Sequence, residues 1–121
     1  MFKRKILVMD DDPAFTQLMA EYFKANYDVL TANTLEDAVR CFRRHRPKVV
    51  LLDFNMPRVN GDQFLPMLQE VDPTVRAIIV TGCQEEEVED KFRGLGYYAF
   101  FEKGSMSLED MAQKIDEAFH Y

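Results

Sequence analysis

Five short apolar runs alternate along this chain with five longer amphipathic stretches, and that alternation limits the fold more than any other feature. The runs are Ile6-Leu7-Val8-Met9, Val29-Leu30-Thr31, Val49-Val50-Leu51-Leu52, Ala77-Ile78-Ile79-Val80 and Ala99-Phe100-Phe101. A strand with one wet face alternates apolar and polar residues. The first, third and fourth runs do not, so both of their faces must be covered. Helices packed on both sides of a parallel sheet provide that cover. The expectation is therefore an α/β doubly wound sheet of five parallel strands with five helices, in the order 2-1-3-4-5. Its ligand crevice would lie past the carboxyl ends of strands one and three.

The intervening stretches carry helical spacing. Phe15, Leu18, Met19, Tyr22 and Phe23 share a face of the first, Leu35, Ala38, Val39 and Phe42 of the second, and Leu108, Met111, Ala112, Ile115 and Phe119 of the last. Asp12-Pro13 and Thr34 have N-cap character, so Asp12 reads as a cap rather than a ligand. Arg46-Pro47 and Asp72-Pro73 should end the second and third helices. Pro66 should kink the third helix or delay its start.

The 121 residues suit one domain, expected over residues 1–121, with any output domain elsewhere or cut away. A net charge of −6 argues against a nucleic-acid-binding face. The basic clusters Lys3-Arg4-Lys5 and Arg43-Arg44-His45-Arg46 have no interleaved aromatics, and the second suits a helix C-terminus. The four apolar residues that follow the basic amino terminus are too few for a signal peptide or a membrane span. Cys41 and Cys83 lack CxxC spacing and read as free thiols in a reducing cytoplasm.

Chemistry concentrates just past the strands. Asp10, Asp11 and Asp12 follow the first, Asp53 the third, Thr81 the fourth and Lys103 the fifth. The fold would gather these carboxylates, a hydroxyl and an amine around one crevice. Two carboxylates about 4 Å apart repel by roughly 4 kcal/mol at an effective dielectric near 20. A proton or a cation must relieve that repulsion. An all-oxygen site open to water and phosphate suits Mg2+ best. With such a cation, Asp53 can attack a phosphoryl group while Lys103 and Thr81 meet the phosphoryl oxygens.

Four segments carry a family resemblance: Ile-Leu-Val-Met-Asp-Asp-Asp-Pro (6–13), Leu-Leu-Asp-Phe-Asn-Met-Pro-Arg-Val-Asn-Gly (51–61), Val-Thr-Gly (80–82) and Phe-Phe-Glu-Lys (100–103). In this order and spacing the chain resembles the receiver domains of two-component response regulators along its whole length. The resemblance implies a flavodoxin-like fold, with Asp53 as phosphoacceptor. Asp10 and Asp11 would be the metal-binding pair, and Asn55 would offer a backbone carbonyl to the metal. Thr81 and Lys103 would be the switch hydroxyl and the phosphate-sensing lysine, and Phe100 the switch aromatic. Pro57 and Gly61 would shape the loop after the acceptor, Gly61 through backbone angles other residues avoid. Implied partners are a sensor histidine kinase or histidine phosphotransfer protein. An output domain, a downstream protein or a second copy would dock on the face built from the fourth helix, fifth strand and fifth helix. Direct contact with nucleic acid or membrane is not expected. The domain would catalyse its own phosphorylation and dephosphorylation without being a turnover enzyme.

Departures leave alternatives open. Gly104 stands where the family usually has proline, which loosens the lysine loop, and Phe100 replaces the commoner tyrosine. Cys83 lies where the family tunes dephosphorylation. A receiver-like scaffold that is no longer phosphorylated is one alternative. An aspartate-nucleophile phosphatase is another, but it would need an acid at position 55. Thr81 suits a helix cap as well as a switch, and Phe100 a plain core position. The acidic run Glu85-Glu86-Glu87-Val88-Glu89-Asp90 suits a solvated face or a partner surface.

Overall fold

A computed structural model describes residues 3–56 and 58–120; Pro57, expected to shape the loop after Asp53, lies outside the described residues. The strands are β1 (Arg4–Met9), β2 (Tyr27–Ala32), β3 (Val49–Leu52), β4 (Arg76–Thr81) and β5 (Ala99–Glu102). The helices are α1 (Pro13–Phe23), α2 (Leu35–His45), α3 (Gly61–Val71), α4 (Glu85–Val88) and α5 (Leu108–His120), one after each strand. All pairings are parallel, as the burial pattern implied, and the order is the expected β2-β1-β3-β4-β5.

Two apolar clusters sandwich the sheet. Leu7, Met9, Val50, Leu52, Ala77 and Ile79 point to one side, with Phe42, Phe64 and Leu68 of α2 and α3. Ile6, Val8, Leu51, Ile78 and Val80 point to the other, with Met19, Phe23, Met111 and Ile115 of α1 and α5. Adjacent residues of β1, β3 and β4 thus serve opposite layers, which explains their lack of alternation.

The cap assignments hold. Asp12 accepts from the Ala14 N–H, and Thr34 accepts from the Asp37 N–H. Arg46 closes α2 in a left-handed conformation (φ 48°) and Asp72 closes α3. Four expectations need correction. Pro66 does not delay α3, which begins at Gly61 and runs through it. An asparagine–glutamine capping box at Asn60 and Gln63 secures that start. Leu18 and Tyr22 are exposed, at 51% and 42%. The buried stripe of α1 is centred on Thr16, Met19 and Phe23, about a quarter turn or more away from them. The fourth amphipathic stretch yields only one helical turn before hydrogen-bonded turns through residues 89–95. Its acids repel one another at helical spacing, and Gly94 and Gly96 adopt positive φ (82° and 73°). Finally, Gly61 is not at positive φ; its role is spatial, as shown below.

Candidate functional site

The sheet delivers its acids by continuing one residue past each strand. The Asp10 N–H donates to the Ala32 carbonyl at 3.1 Å, and the Asp53 N–H to the Met9 carbonyl at 3.1 Å. Both aspartates therefore sit on fixed backbone and are buried, while Asp11 is exposed. Carboxylate oxygens of Asp10, Asp11 and Asp53 lie within 4.8 Å of one another.

Lys103 reaches this cluster from the far side. Its backbone N–H donates to the Thr81 carbonyl at 2.8 Å. Its Nζ lies 2.6 Å from Asp10 Oδ2 and 3.3 Å from Asp53 Oδ2. The Phe15 ring lies beneath the ammonium, its centroid 4.4 Å away. Burial alone would lower the pKa of this amine. The hydrogen bond to Asp10 and the charges of Asp53 and Asp10 outweigh that, so Lys103 stays protonated above its ordinary value.

Asp10 is the strained member. Its Oδ1 accepts from the Asp12 N–H at 2.9 Å, but its buried Oδ2 has no partner in hydrogen-bond geometry beyond the close ammonium. Burial pushes the carboxyl up to about 6; Lys103 and the Asp12 N–H oppose the rise and the Asp53 charge adds to it. An under-bonded buried oxygen beside two further carboxylates is a donor set that fits a hard divalent cation.

The remaining residues frame the crevice. Thr81, wholly buried at the end of β4, accepts from the Cys83 N–H at 3.4 Å, so it turns the following loop and does not cap α4, whose N-cap is Gln84. Asn55 is exposed; its N–H donates to Asp53 Oδ1 at 3.1 Å and its side-chain amide to Cys83 Sγ at 3.1 Å. A Cβ at Gly61 would come within 3.1 Å of both the Asp53 carbonyl oxygen and the Phe54 Cα, closer than ordinary packing allows. The Gly61 N–H meanwhile donates to the Phe54 carbonyl at 2.8 Å. Glycine is thus favoured there by close approach, since a Cβ would force neighbouring backbone to give by a few tenths of an ångström. The positive φ in this loop falls instead on Arg58 (71°). Phe100 is half-buried against Tyr97.

Sequence reasoning missed two contributors. Asn33 donates to the Asp10 carbonyl at 2.9 Å and to Thr16 Oγ1 at 3.0 Å, which fixes the β1–α1 loop. It lies just past β2, so the inspection applied to the other strands would have found it. Phe15 was read only as part of an apolar face, and nothing in its spacing signals the ammonium above it.

An acid cluster beside a lysine lies at the point where the doubly wound sheet reverses its strand order, which is where open α/β sheets place their ligand crevice. The response regulator receiver domain matches residues 6–116, and the chain belongs to that family. It is 31% identical over 104 residues to sporulation initiation phosphotransferase F of Bacillus subtilis, covering 85% of this chain and 84% of that one. It is 29% identical over 119 residues to the response regulator GacA of Pseudomonas aeruginosa, covering 95% of this chain but only 55% of GacA. The chain thus spans about half the length of that relative. A receiver domain from Clostridium thermocellum superimposes with a TM-score of 0.88 at 25% identity, over 97% of this chain and 94% of that one. The BeF3-activated DrrB receiver domain has the same fold, with a TM-score of 0.88 at 23% identity over 99% and 100% of the two chains. No helix among the described residues is long and apolar enough to cross a membrane.

Proposed function

We propose that residues 1–121 form one cytoplasmic receiver domain that accepts a phosphoryl group on Asp53 from a sensor histidine kinase or histidine phosphotransfer protein. The observation that carries this reading is the Lys103 ammonium in contact with Asp53, beside oxygens of Asp10 and Asp11 close enough to share one cation. Asp10, Asp11 and Asp53, with the Asn55 carbonyl, would hold Mg2+, which when bound supplies positive charge against the phosphoryl oxygens. An Asp53 carboxylate oxygen attacks phosphorus and forms a P–O bond. The bond from phosphorus to the donor breaks, and its electron pair leaves with the donor group. Lys103 draws a phosphoryl oxygen as a point charge, and the Thr81 hydroxyl donates to another.

Phosphorylation then adds charge and acceptors at the crevice. Thr81 and Phe100 respond, which biases the face of α4, β5 and α5 for an output domain, a downstream protein or a second copy. A contiguous aromatic chain supports this coupling. Phe54, next to the acceptor, packs on Phe92, Phe92 on Tyr97, and Tyr97 on Phe100, with ring centroids 5.8, 5.6 and 6.1 Å apart. The phosphatase alternative lacks its acid, because position 55 is an amide bonded to Cys83.

Incubation with magnesium and acetyl phosphate, followed by intact mass spectrometry, tests the reading. One added phosphoryl group is expected, and none in Asp53→Asn. If the wild type takes no phosphoryl group from a small donor or from a kinase, the scaffold alternative replaces this one.

A further inference from the structure

We infer that Phe15 is the positioning residue for Lys103, holding its ammonium over the phosphoacceptor through the face of the ring; the inference rests on the proposed phosphorylation at Asp53. Lysine is a point charge on a four-carbon stem and does not locate itself. The backbone beyond Lys103 gives little help. Gly104 is exposed, and nothing lies within 4 Å of where its Cβ would be. The anchors of that segment are the Lys103 N–H on the Thr81 carbonyl and a turn closed by the Ser105 N–H on the Glu102 carbonyl at 3.1 Å. The head of the side chain must therefore be fixed by what touches it: Asp10, Asp53 and the Phe15 ring.

Of these three, the ring alone can stay in place through the reaction. Both carboxylates are bidders for the incoming cation and phosphoryl group. Phe15 sits in the first turn of α1, where its own N–H and that of Thr16 donate to the Asp12 carbonyl at 3.1 and 3.2 Å. The same capped turn that presents Asp10 and Asp11 thus also presents the ring. An aromatic face attracts a cation without claiming any particular N–H. The ammonium can turn its donors from Asp10 to a phosphoryl oxygen while its position is held. An amide or carboxylate at residue 15 would bind one donor and oppose that turn.

Two measurements on the full chain test this. The first needs no phosphorylation: the Lys103 CεH2 resonances of the wild type should be shifted upfield by the ring. The shift should be lost in Phe15→Leu and kept in Phe15→Tyr. The second is the acetyl phosphate reaction, where Phe15→Leu should slow adduct formation about fivefold and Phe15→Tyr should restore it. In a Lys103→Met background Phe15→Leu should have no further effect. An unshifted Lys103 resonance in the wild type, or the same rate loss in both backgrounds, overturns the inference. A wild type that takes no phosphoryl group overturns the proposed function instead, and the resonances still decide on Phe15.

Discussion

The two ends of the sheet carry the same three kinds of side chain and treat them oppositely. At the carboxyl end, Asp10 and Asp53 meet Lys103 near Thr81. At the amino end of β3 and β4, Asp72 meets Lys48 and Thr74. Asp72 has a partner for every demand. It accepts from the Thr74 hydroxyl at 2.6 Å, the Thr74 N–H at 2.9 Å and Lys48 at 3.2 Å, and Lys48 also donates to the Thr74 hydroxyl at 2.8 Å. These contacts, the Thr74 hydroxyl foremost, hold its carboxyl below the usual carboxylate value. Burial pushes Asp10 up to about 6 against its bonds to Lys103 and the Asp12 N–H, and the Asp53 charge adds to the rise. Composition does not decide whether such a group stabilises a fold. The number of donors per buried oxygen does. The amino end is a finished structural joint, whereas the carboxyl end leaves a buried oxygen, Asp10 Oδ2, short of donors.

The largest test of this contrast is Asp10→Asn. The folded-state value of about 6 lies above the ordinary 3.8, so the penalty grows as pH rises between them and is full above the upper value. Without metal, Asp10→Asn should stabilise the protein at pH 7.5 by roughly 1–3 kcal/mol in urea denaturation, and the gain should vanish below the lower value. Millimolar magnesium should stabilise the wild type by binding the folded state and should stabilise Asp10→Asn far less. If Asp10→Asn is destabilising in metal-free buffer, the contrast between the two ends fails.

Next in size is Asp72→Ala, which should cost about 1.5 kcal/mol at neutral pH because it strips Thr74 and Lys48 of their acceptor. Its sign with pH is the reverse. A lowered carboxyl pKa contributes stability above the ordinary carboxylate value that disappears as pH falls through the folded value. The variant and the wild type should therefore converge in acid, as denaturation midpoints below pH 4 would show. The smallest effect is expected of Lys48→Met, about 0.5 kcal/mol or less, since the lysine side chain is 58% exposed. A loss there as large as that of Asp72→Ala would mean that the ion pair, and not the Thr74 bonds, holds this joint together.

The strands were legible because burial on both faces leaves no other reading of Val49–Leu52 or Ala77–Val80, and they extend the expected runs by at most two residues at either end. Most of the site was legible for the same reason: Asp10, Asp53 and Thr81 are placed by where buried strands stop. What escaped depends on direction rather than identity. Leu18 and Tyr22 have the right spacing but the wrong azimuth on α1. Phe15 differs from any core aromatic only in what lies above it. The brevity of α4 is also beyond what apolar periodicity registers: the chain leaves the helix after Val88 and passes through Gly94 and Gly96 at positive φ.

The missing side chain at residue 61 has a mechanical consequence. With the backbone of the acceptor strand seated directly on the first turn of α3, there is no slack beneath Asp53, and that side of the crevice behaves as an anvil. The chain past β4 forms a single helical turn, α4, in which Val88 is the buried residue. Under the proposed phosphorylation, a displacement at Asp53 would meet more resistance on the α3 side than on the side of this short helix, and that asymmetry would set the direction in which the disturbance travels.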